Sequence, residues 1–301
     1  RLIDNLSVGN ISNLAQVCKF TEIASINIEG SPNGVELIIG DIQDISLAKK
    51  VSKGIDVIVH FAANTGVGPS IENPRDDMLV NVEGTFNYLE ACRANNISKF
   101  IFASSGAPIG EVDPPIHEEL VPHPISPYGA SKLAGEGYCS AYKNTFDVNT
   151  VILRFGNVYG PGSIHKVSLI AKFIKKALEG EILEVYGDGT QTRDFIYIDD
   201  LIDAIILSLN TKNISGETFQ IATNQETTVS DIANKLITEL KKQGIQNVSL
   251  KNVSKRVGDV KRNFSDTTKA KKRLGWSTQI GINEGLSRTV TYFLNNTDKG
   301  A

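Results

Sequence analysis

The chain has 301 residues, 41% of them hydrophobic and 22% charged, which allows one large or two ordinary domains with a sizeable core. A net charge of -3 argues against a nucleic-acid binder, which carries a basic surplus. Cys18, Cys92 and Cys139 match neither a zinc spacing nor a disulfide framework and read as thiols in a reducing cytoplasm; no metal is expected, no apolar run is long enough to span a bilayer, and no signal peptide is visible.

Arg1-Leu-Ile-Asp4 reads as the end of an apolar run, so an earlier start of the natural chain is expected. Strands are then predicted at 35–40, 56–61, 99–103 and 149–154. Helical patterns fall between them at 45–53, 75–94 and 127–145. Near-continuous apolar strands alternating with helices predict an α/β fold with a doubly wound parallel sheet, whose ligands lie at the carboxyl ends of the strands. After Arg154 the rhythm changes. A glycine-rich turn at 156–162 leads to a helix at 167–179, a turn at 186–189, a strand at 194–198 and a helix opened by Asp199 and Asp200. A strand at 218–221 and a helix at 229–241 follow; the basic run Lys269–Arg273 reads as a solvated helix face. The expected division is a dinucleotide-binding domain over 1–156, also receiving roughly 192–224. A smaller mixed α/β substrate domain over 157–301 is interleaved with it.

Tyr128 and Lys132 stand four apart behind Ser126-Pro127, a favourable helix cap followed by a favourable first residue. The two side chains therefore share a helix face. To act as a base near neutrality a tyrosine needs its pKa lowered by about 3 units, or roughly 4 kcal/mol. One ammonium at about 4 Å supplies roughly that at an effective dielectric near 20. The spacing alone also fits a packed helix in a chain with eight tyrosines. Ser104 and Ser105 end the strand before it, where a doubly wound fold places ligands, although turn serines also serve backbone groups.

Ser104-Ser105 followed by Tyr128-xxx-Lys132 resembles the extended short-chain dehydrogenase/reductase family, in its nucleotide-sugar epimerase branch. Supporting segments run in order along the chain: Asp4-Asn-Leu-Ser7, Gly40-Asp-Ile42, His60-Phe-Ala-Ala63, Asn81-Val-Glu-Gly-Thr85, Leu153-Arg-Phe-Gly-Asn157, Thr192-Arg-Asp-Phe195 and Arg256-Val-Gly-Asp259. The resemblance implies a Rossmann-like fold and NAD as cofactor. It implies Ser105, Tyr128 and Lys132 as catalytic residues, with Tyr128 and Lys132 also meeting the cofactor. Asp4 and Asn5 would hold the adenosine ribose, the acidic group favouring NAD over NADP. Asp41 and Ile42 would flank the adenine, and Phe61, Ala62 and Ala63 would line the cofactor's path. Asn81 would brace that region and Phe155 would lie near the nicotinamide. On the substrate side, Ser105 would meet a sugar hydroxyl, Asn157 would contact the sugar diphosphate, Val185 and Tyr186 would border its base, Arg193 and Arg256 would bind the diphosphate, and Asp259 would hold a ribose hydroxyl.

Two departures stand out. The family's glycine-rich phosphate loop belongs upstream of Asp4, and Gly66-Val-Gly68 is no substitute. Ile109 replaces a customary aromatic, which predicts a local packing change. Family members that dehydrate or decarboxylate sugars carry an acidic residue just after the catalytic Ser or Thr. Gly106 and Ala107 stand there, which favours C4 epimerisation of a UDP-hexose. In the family a bulky residue near this position closes the pocket around C2, so the resemblance implies that the small Asn263 would leave room for an N-acetyl group. The alternatives are a nucleotide-sugar reductase, a uronate epimerase or a non-catalytic nucleotide-binding fragment. A homodimer through the helices at 75–94 and 127–145 is expected by analogy, with no nucleic acid or membrane partner.

Overall fold

In the computed structural model, which describes residues 1–164, 168–254 and 260–297, the chain separates into two units. The first comprises Arg1–Gly110, Val121–Arg154 and Ser208–Phe219. The second comprises Glu111–Leu120, Phe155–Leu207 and Gln220 onward.

The first unit opens with β1 (Leu2–Asp4), α1 (Ile11–Val17), β2 (Thr21–Glu22) and β3 (Glu36–Ile39). β3 pairs in parallel with both short strands, and the register sets Asp4 opposite Ile39. Next comes α2 (Ile45–Val51), capped by Asp44, whose carboxylate accepts the Ser46 and Leu47 amides, both at 2.9 Å. β4 (Val57–His60) and the short α3 (Val67–Glu72) lead to α4 (Pro74–Met78). Asn73 caps α4 and Pro74 opens it, one residue ahead of the expected start. The predicted single helix over 75–94 continues as a π-helical turn, Leu79–Glu83, and then as α5 (Gly84–Asn95). β5 (Lys99–Ser105), α6 (Pro127–Phe146) and β6 (Thr150–Phe155) complete this stretch.

β4 and β5 pair in parallel, within a four-stranded sheet of order β11-β6-β5-β4 that takes in a later strand, β11. The other sheet has order β1-β3-β2. Among the described residues no strand pairs with the outer edge of β1 or of β4, so one expected sheet is present as two. β5 is buried from Lys99 to Ser104, as its apolar run predicts for a strand covered on both faces. Ile38, Leu89, Phe100, Phe102, Cys139 and Ile152 form the core around it.

The second unit holds β7 (Asn157–Tyr159), α7 (Leu169–Leu178), β8 (Leu183–Tyr186), β9 (Thr192–Arg193) and β10 (Phe195–Tyr197). α8 (Ile198–Asn210) and β11 (Glu217–Ile221) each begin in one unit and end in the other. β12 (Thr227–Thr228), α9 (Val229–Lys242), β13 (Leu250–Val253), α10 (Thr268–Leu274) and α11 (Ile282–Thr297) follow. β10 runs parallel to β7 and β13 to β8, while β12 is antiparallel to β9. Phe173, Ile174, Leu183, Val185, Leu236 and Phe293 are central to this unit's core. Among the described residues no helix is long and apolar enough to cross a membrane.

Candidate active site

α6 begins where the sequence says it should: Ser126 Oγ accepts the Gly129 amide at 3.1 Å and Pro127 takes the first helical position. Helical spacing then turns Tyr128, Lys132 and Glu136 to one face. Lys132 is 4% exposed. Its Nζ donates to the Ala103 carbonyl at 3.0 Å and lies 5.0 Å from the centre of the Phe102 ring. Burial lowers its pKa to about 8, while Asp77, Cys139 and Glu136 hold it up. The Tyr128 hydroxyl is pushed above its usual range by burial and by the charge of Asp77. The Ser105 hydroxyl pulls it back down. The anchor of Lys132 is thus the end of β5, and the group that eases ionisation of Tyr128 in this arrangement is Ser105. Ser105 Oγ also accepts the Ala107 amide at 3.2 Å. The turn after it needs Gly110, which has φ 76 and would put a Cβ 1.9 Å from the His123 carbonyl oxygen. Ile109 fills the core beneath with no exposure.

Under this face lies a buried polar layer. Glu136 accepts both Nε and Nη2 of Arg154, at 2.8 and 2.6 Å, and Ser104 Oγ donates to it at 2.6 Å. Asn81, in the π-turn, is 1% exposed rather than solvent-facing. Its Oδ1 accepts the Asn64 amide at 2.7 Å. Its Nδ2 reaches the Asn64 carbonyl, Asp77 Oδ1 and Ser131 Oγ at 3.0, 3.0 and 3.1 Å. The segment Phe61–Asn64 leaving β4 is pinned in this way, with Phe61 exposed and Ala62 and Ala63 half-buried. Local π-turns often occur at functional sites. His60, at the end of β4, is held neutral: burial and the nearby Lys132 lower its pKa to about 3.

Asp4, Asn5 and Asp41 gather at the carboxyl ends of β1 and β3. Asn5 Nδ2 donates to Asp41 Oδ2 at 2.9 Å, and Asp4 Oδ1 accepts the Leu6 amide at 2.7 Å. Gly9 passes so close that a Cβ there would meet Asp4 Oδ2 at 2.6 Å. An acidic pair, Asp4 exposed and Asp41 half-buried, beside a side-chain-free backbone suits neutral ribose hydroxyls and repels a 2′-phosphate, so these residues fit the adenosine end of NAD. Ile42 departs from expectation. Its side chain is core, packed over Gly84, where a Cβ would be 2.4 Å from Ile42 Cδ1.

In the second unit, Phe155 is half-buried at the end of β6, and Asn157 is exposed at the start of β7. Tyr186 is half-buried, with Lys172 Nζ 5.5 Å from its ring centre. Arg193 Nη1 donates to the Thr192 and Val260 carbonyls at 2.6 and 2.9 Å. Val185 also departs from expectation. The alternation of β8 turns Leu183 and Val185 inward, leaving Tyr186 outward, so the Val185 side chain lies in the core. Arg256 and Asp259 lie outside the described residues. The motif reading missed Asp77 and Glu136. The helical spacing Tyr128, Lys132, Glu136 carried a signal for Glu136, and the four-residue step from Asp77 to Asn81 a fainter one.

The chain was compared with known proteins. The family model described as NAD dependent epimerase/dehydratase family matches residues 4–222. A Methanocaldococcus jannaschii protein with a provisional UDP-glucose 4-epimerase name is 35% identical over 300 residues, 98% of this chain and 90% of that protein. The UDP-glucose 4-epimerase of Thermotoga maritima, solved with UDP-glucose, is 30% identical with a TM-score of 0.85, covering 98% of this chain and 90% of that one. The UDP-glucuronic acid 4-epimerase of Bacillus cereus, solved with UDP-glucuronic acid and NAD, is 34% identical with a TM-score of 0.80, covering 87% and 83%. The family model spans the strand-end acidic pair, the Asn81 brace and the Ser105, Tyr128, Lys132 constellation. With that agreement between local geometry and overall similarity, the chain belongs to the NAD dependent epimerase/dehydratase family.

Proposed function

We propose that the protein inverts C4 of a UDP-hexose through a transient 4-keto sugar, with UDP-glucose and UDP-galactose as the interconverted pair. The observation that carries this reading is the placement of Ser105 at the end of β5 and of Tyr128 and Lys132 one turn apart on α6, with Lys132 Nζ tied to the Ala103 carbonyl of the same strand at 3.0 Å. Gly106 and Ala107 follow Ser105 and offer no carboxylate for dehydration or decarboxylation. Asp4, Asn5 and Asp41 would hold the adenosine of NAD, and Lys132 its nicotinamide ribose. NAD, when bound, supplies the acceptor and donor for the C4 hydride. Tyr128 removes the proton of the 4-hydroxyl and later returns it to the alkoxide formed on the other face. Ser105 donates to the phenolate and steadies the moving proton. Asn157, Tyr186, Arg193, Arg256 and Asp259 would retain the nucleotide while the keto sugar turns over.

The half-buried Asn263 suggests that a 2-N-acetyl group fits as well. We further propose a cytoplasmic homodimer. Exposed Tyr138 and Phe146 on α6 supply apolar area for a helix interface, and light scattering reads the mass. The decisive assay incubates the protein and NAD with UDP-glucose, UDP-N-acetylglucosamine or UDP-glucuronate and separates the epimers. The reading expects substoichiometric NAD to suffice and Tyr128→Phe to abolish turnover. Consumption of reduced cofactor in proportion to product assigns a reductase instead. Turnover of UDP-glucuronate alone assigns a uronate epimerase.

A further inference from the structure

The reaction set out above leaves Asp77 without a task, yet its carboxylate is 3% exposed in the layer beneath α6. Oδ1 accepts Asn81 Nδ2 at 3.0 Å, whereas Oδ2 is buried without a hydrogen bond. A carboxylate buried with half its acceptor capacity unused is costly unless a charge offsets it. The groups that face it identify the offset. From α6 come Ser131, Lys132 and Tyr128; from its own helix comes Asp76, which accepts Asn64 Nδ2 at 2.6 Å. Lys132 is the only cation among them.

Lys132 is faced in turn by His60 from β4, the Ala103 carbonyl from β5, Glu136 and Cys139 from its own helix, and Asp77 from α4. His60 is neutral. Burial pushes the Cys139 thiol well up, so it stays protonated. Glu136 is occupied by the Arg154 fork and Ser104. Asp77 is therefore the one carboxylate in this shell not already matched to a cation. Asn81 Nδ2 bridges Asp77 Oδ1 and Ser131 Oγ, which ties the Asp77 carboxylate to the turn of α6 that carries Lys132.

Resting on the reading that Tyr128 and Lys132 form the acid–base pair, we infer that Asp77 is a positioning residue whose buried carboxylate is the counter-charge that keeps the Lys132 ammonium charged and in place. The same carboxylate opposes ionisation of Tyr128, so activity alone would mix two opposed effects. Lys132 itself is the cleaner reporter.

The test is a pH titration of lysine 13Cε resonances in the purified protein, the Lys132 signal being assigned by its loss in Lys132→Met. The wild type is expected to titrate near 8. Asp77→Asn is expected to lower that midpoint by about one pH unit or more, and Asp77→Glu to restore most of it. An unchanged midpoint in a folded Asp77→Asn protein overturns the inference. Urea midpoints of the two single variants and of Asp77→Asn/Lys132→Met give a second reading. A counter-charge predicts that the double variant recovers part of the loss seen in Asp77→Asn, whereas simple addition of the two losses overturns it. If Tyr128→Phe retains turnover while the Lys132 midpoint still moves, the catalytic assignment fails and the counter-charge stands.

Discussion

Replacing Glu136 by Gln keeps the side chain's size and removes its charge, which isolates the worth of the buried Arg154 fork. Both side chains are almost fully enclosed, at 5% and 7% exposure. Glu136 accepts two charge-assisted bonds from Arg154 and one from Ser104. Each such bond is worth roughly 1.5–3 kcal/mol net when a charged group takes part. The larger effect is the guanidinium left behind. Its Nη1 already lacks a partner in the folded chain, and a buried charge stripped of its counter-ion typically costs about 3–5 kcal/mol. We therefore expect Glu136→Gln to lose roughly 3 kcal/mol or more in urea unfolding followed by circular dichroism, and Arg154→Met to lose a similar amount. The double variant Glu136→Gln/Arg154→Met leaves no stranded charge and should lose much less than the two single losses added together. Additive losses would show that the pair is not coupled, and would refute the view that this layer is held by a matched charge rather than by packing.

Lys99 Nζ donates to the Ser208, Leu209 and Thr211 carbonyls at 2.7, 2.8 and 3.0 Å, capping the end of α8. Lys99→Met should cost about 1–3 kcal/mol in the same unfolding measurement, and a loss within error would refute the cap. Gly135→Ala puts a Cβ 2.5 Å from Phe102 Cζ and should destabilise by about 1–3 kcal/mol. Gly137→Ala on the same helix meets nothing within 4 Å and should gain up to about 1 kcal/mol, so equal effects at the two positions would refute the packing argument. His60 has a folded pKa near 3, below that of the unfolded chain. Its stabilising contribution is thus present above about 6.5 and is lost as the pH falls from there toward 3, by up to about 1.4 kcal/mol per unit. The stability difference between wild type and His60→Phe should change with that slope between pH 6 and 4, and parallel curves would contradict it.

What the sequence made legible follows from burial. β5 and β6 stand out because strands covered on both faces read as unbroken apolar runs, and α6 because Ser126-Pro127 announces its start. β1 and β2 are three and two residues long, too short for any periodicity to register. The segment Glu111–Leu120 belongs to the second unit because the Ile116 amide and carbonyl bond Phe264 and Asp266, far along the chain, and no local pattern reveals such a pairing. The grouping of Ser105, Tyr128 and Lys132 at the end of β5 and the start of α6 was readable from motif and strand-end position together. Ile42 and Val185 were misplaced for one reason: a motif fixes a position in the chain, whereas the direction of the side chain follows from strand alternation and from the neighbour it packs on.

The π-turn is the feature with no signature at all in the sequence, and it organises the most. Its extra residue per turn carries Asn81 into the interior, where one amide meets β4's exit loop, Asp77 and α6 at once. The Asn81 carbonyl accepts Thr85 Oγ1 at 2.6 Å, and Thr85 in turn stands 3.2 Å from His60 Nε2, so the backbone is served as well as the side chain. A densely bonded polar layer of this kind is rigid, because each member's alternatives cost a desolvated group. Two buried atoms in it remain unbonded, Asp77 Oδ2 and Arg154 Nη1, and they carry opposite charge. Asp77 reaches α6 through Asn81 and Ser131, and Arg154 reaches it through Glu136. The layer therefore holds the first turns of α6, which carry Tyr128 and Lys132, by charge as well as by packing. Such anchoring fixes Tyr128 and Lys132 relative to the end of β5, the preorganisation that the proposed proton transfer requires.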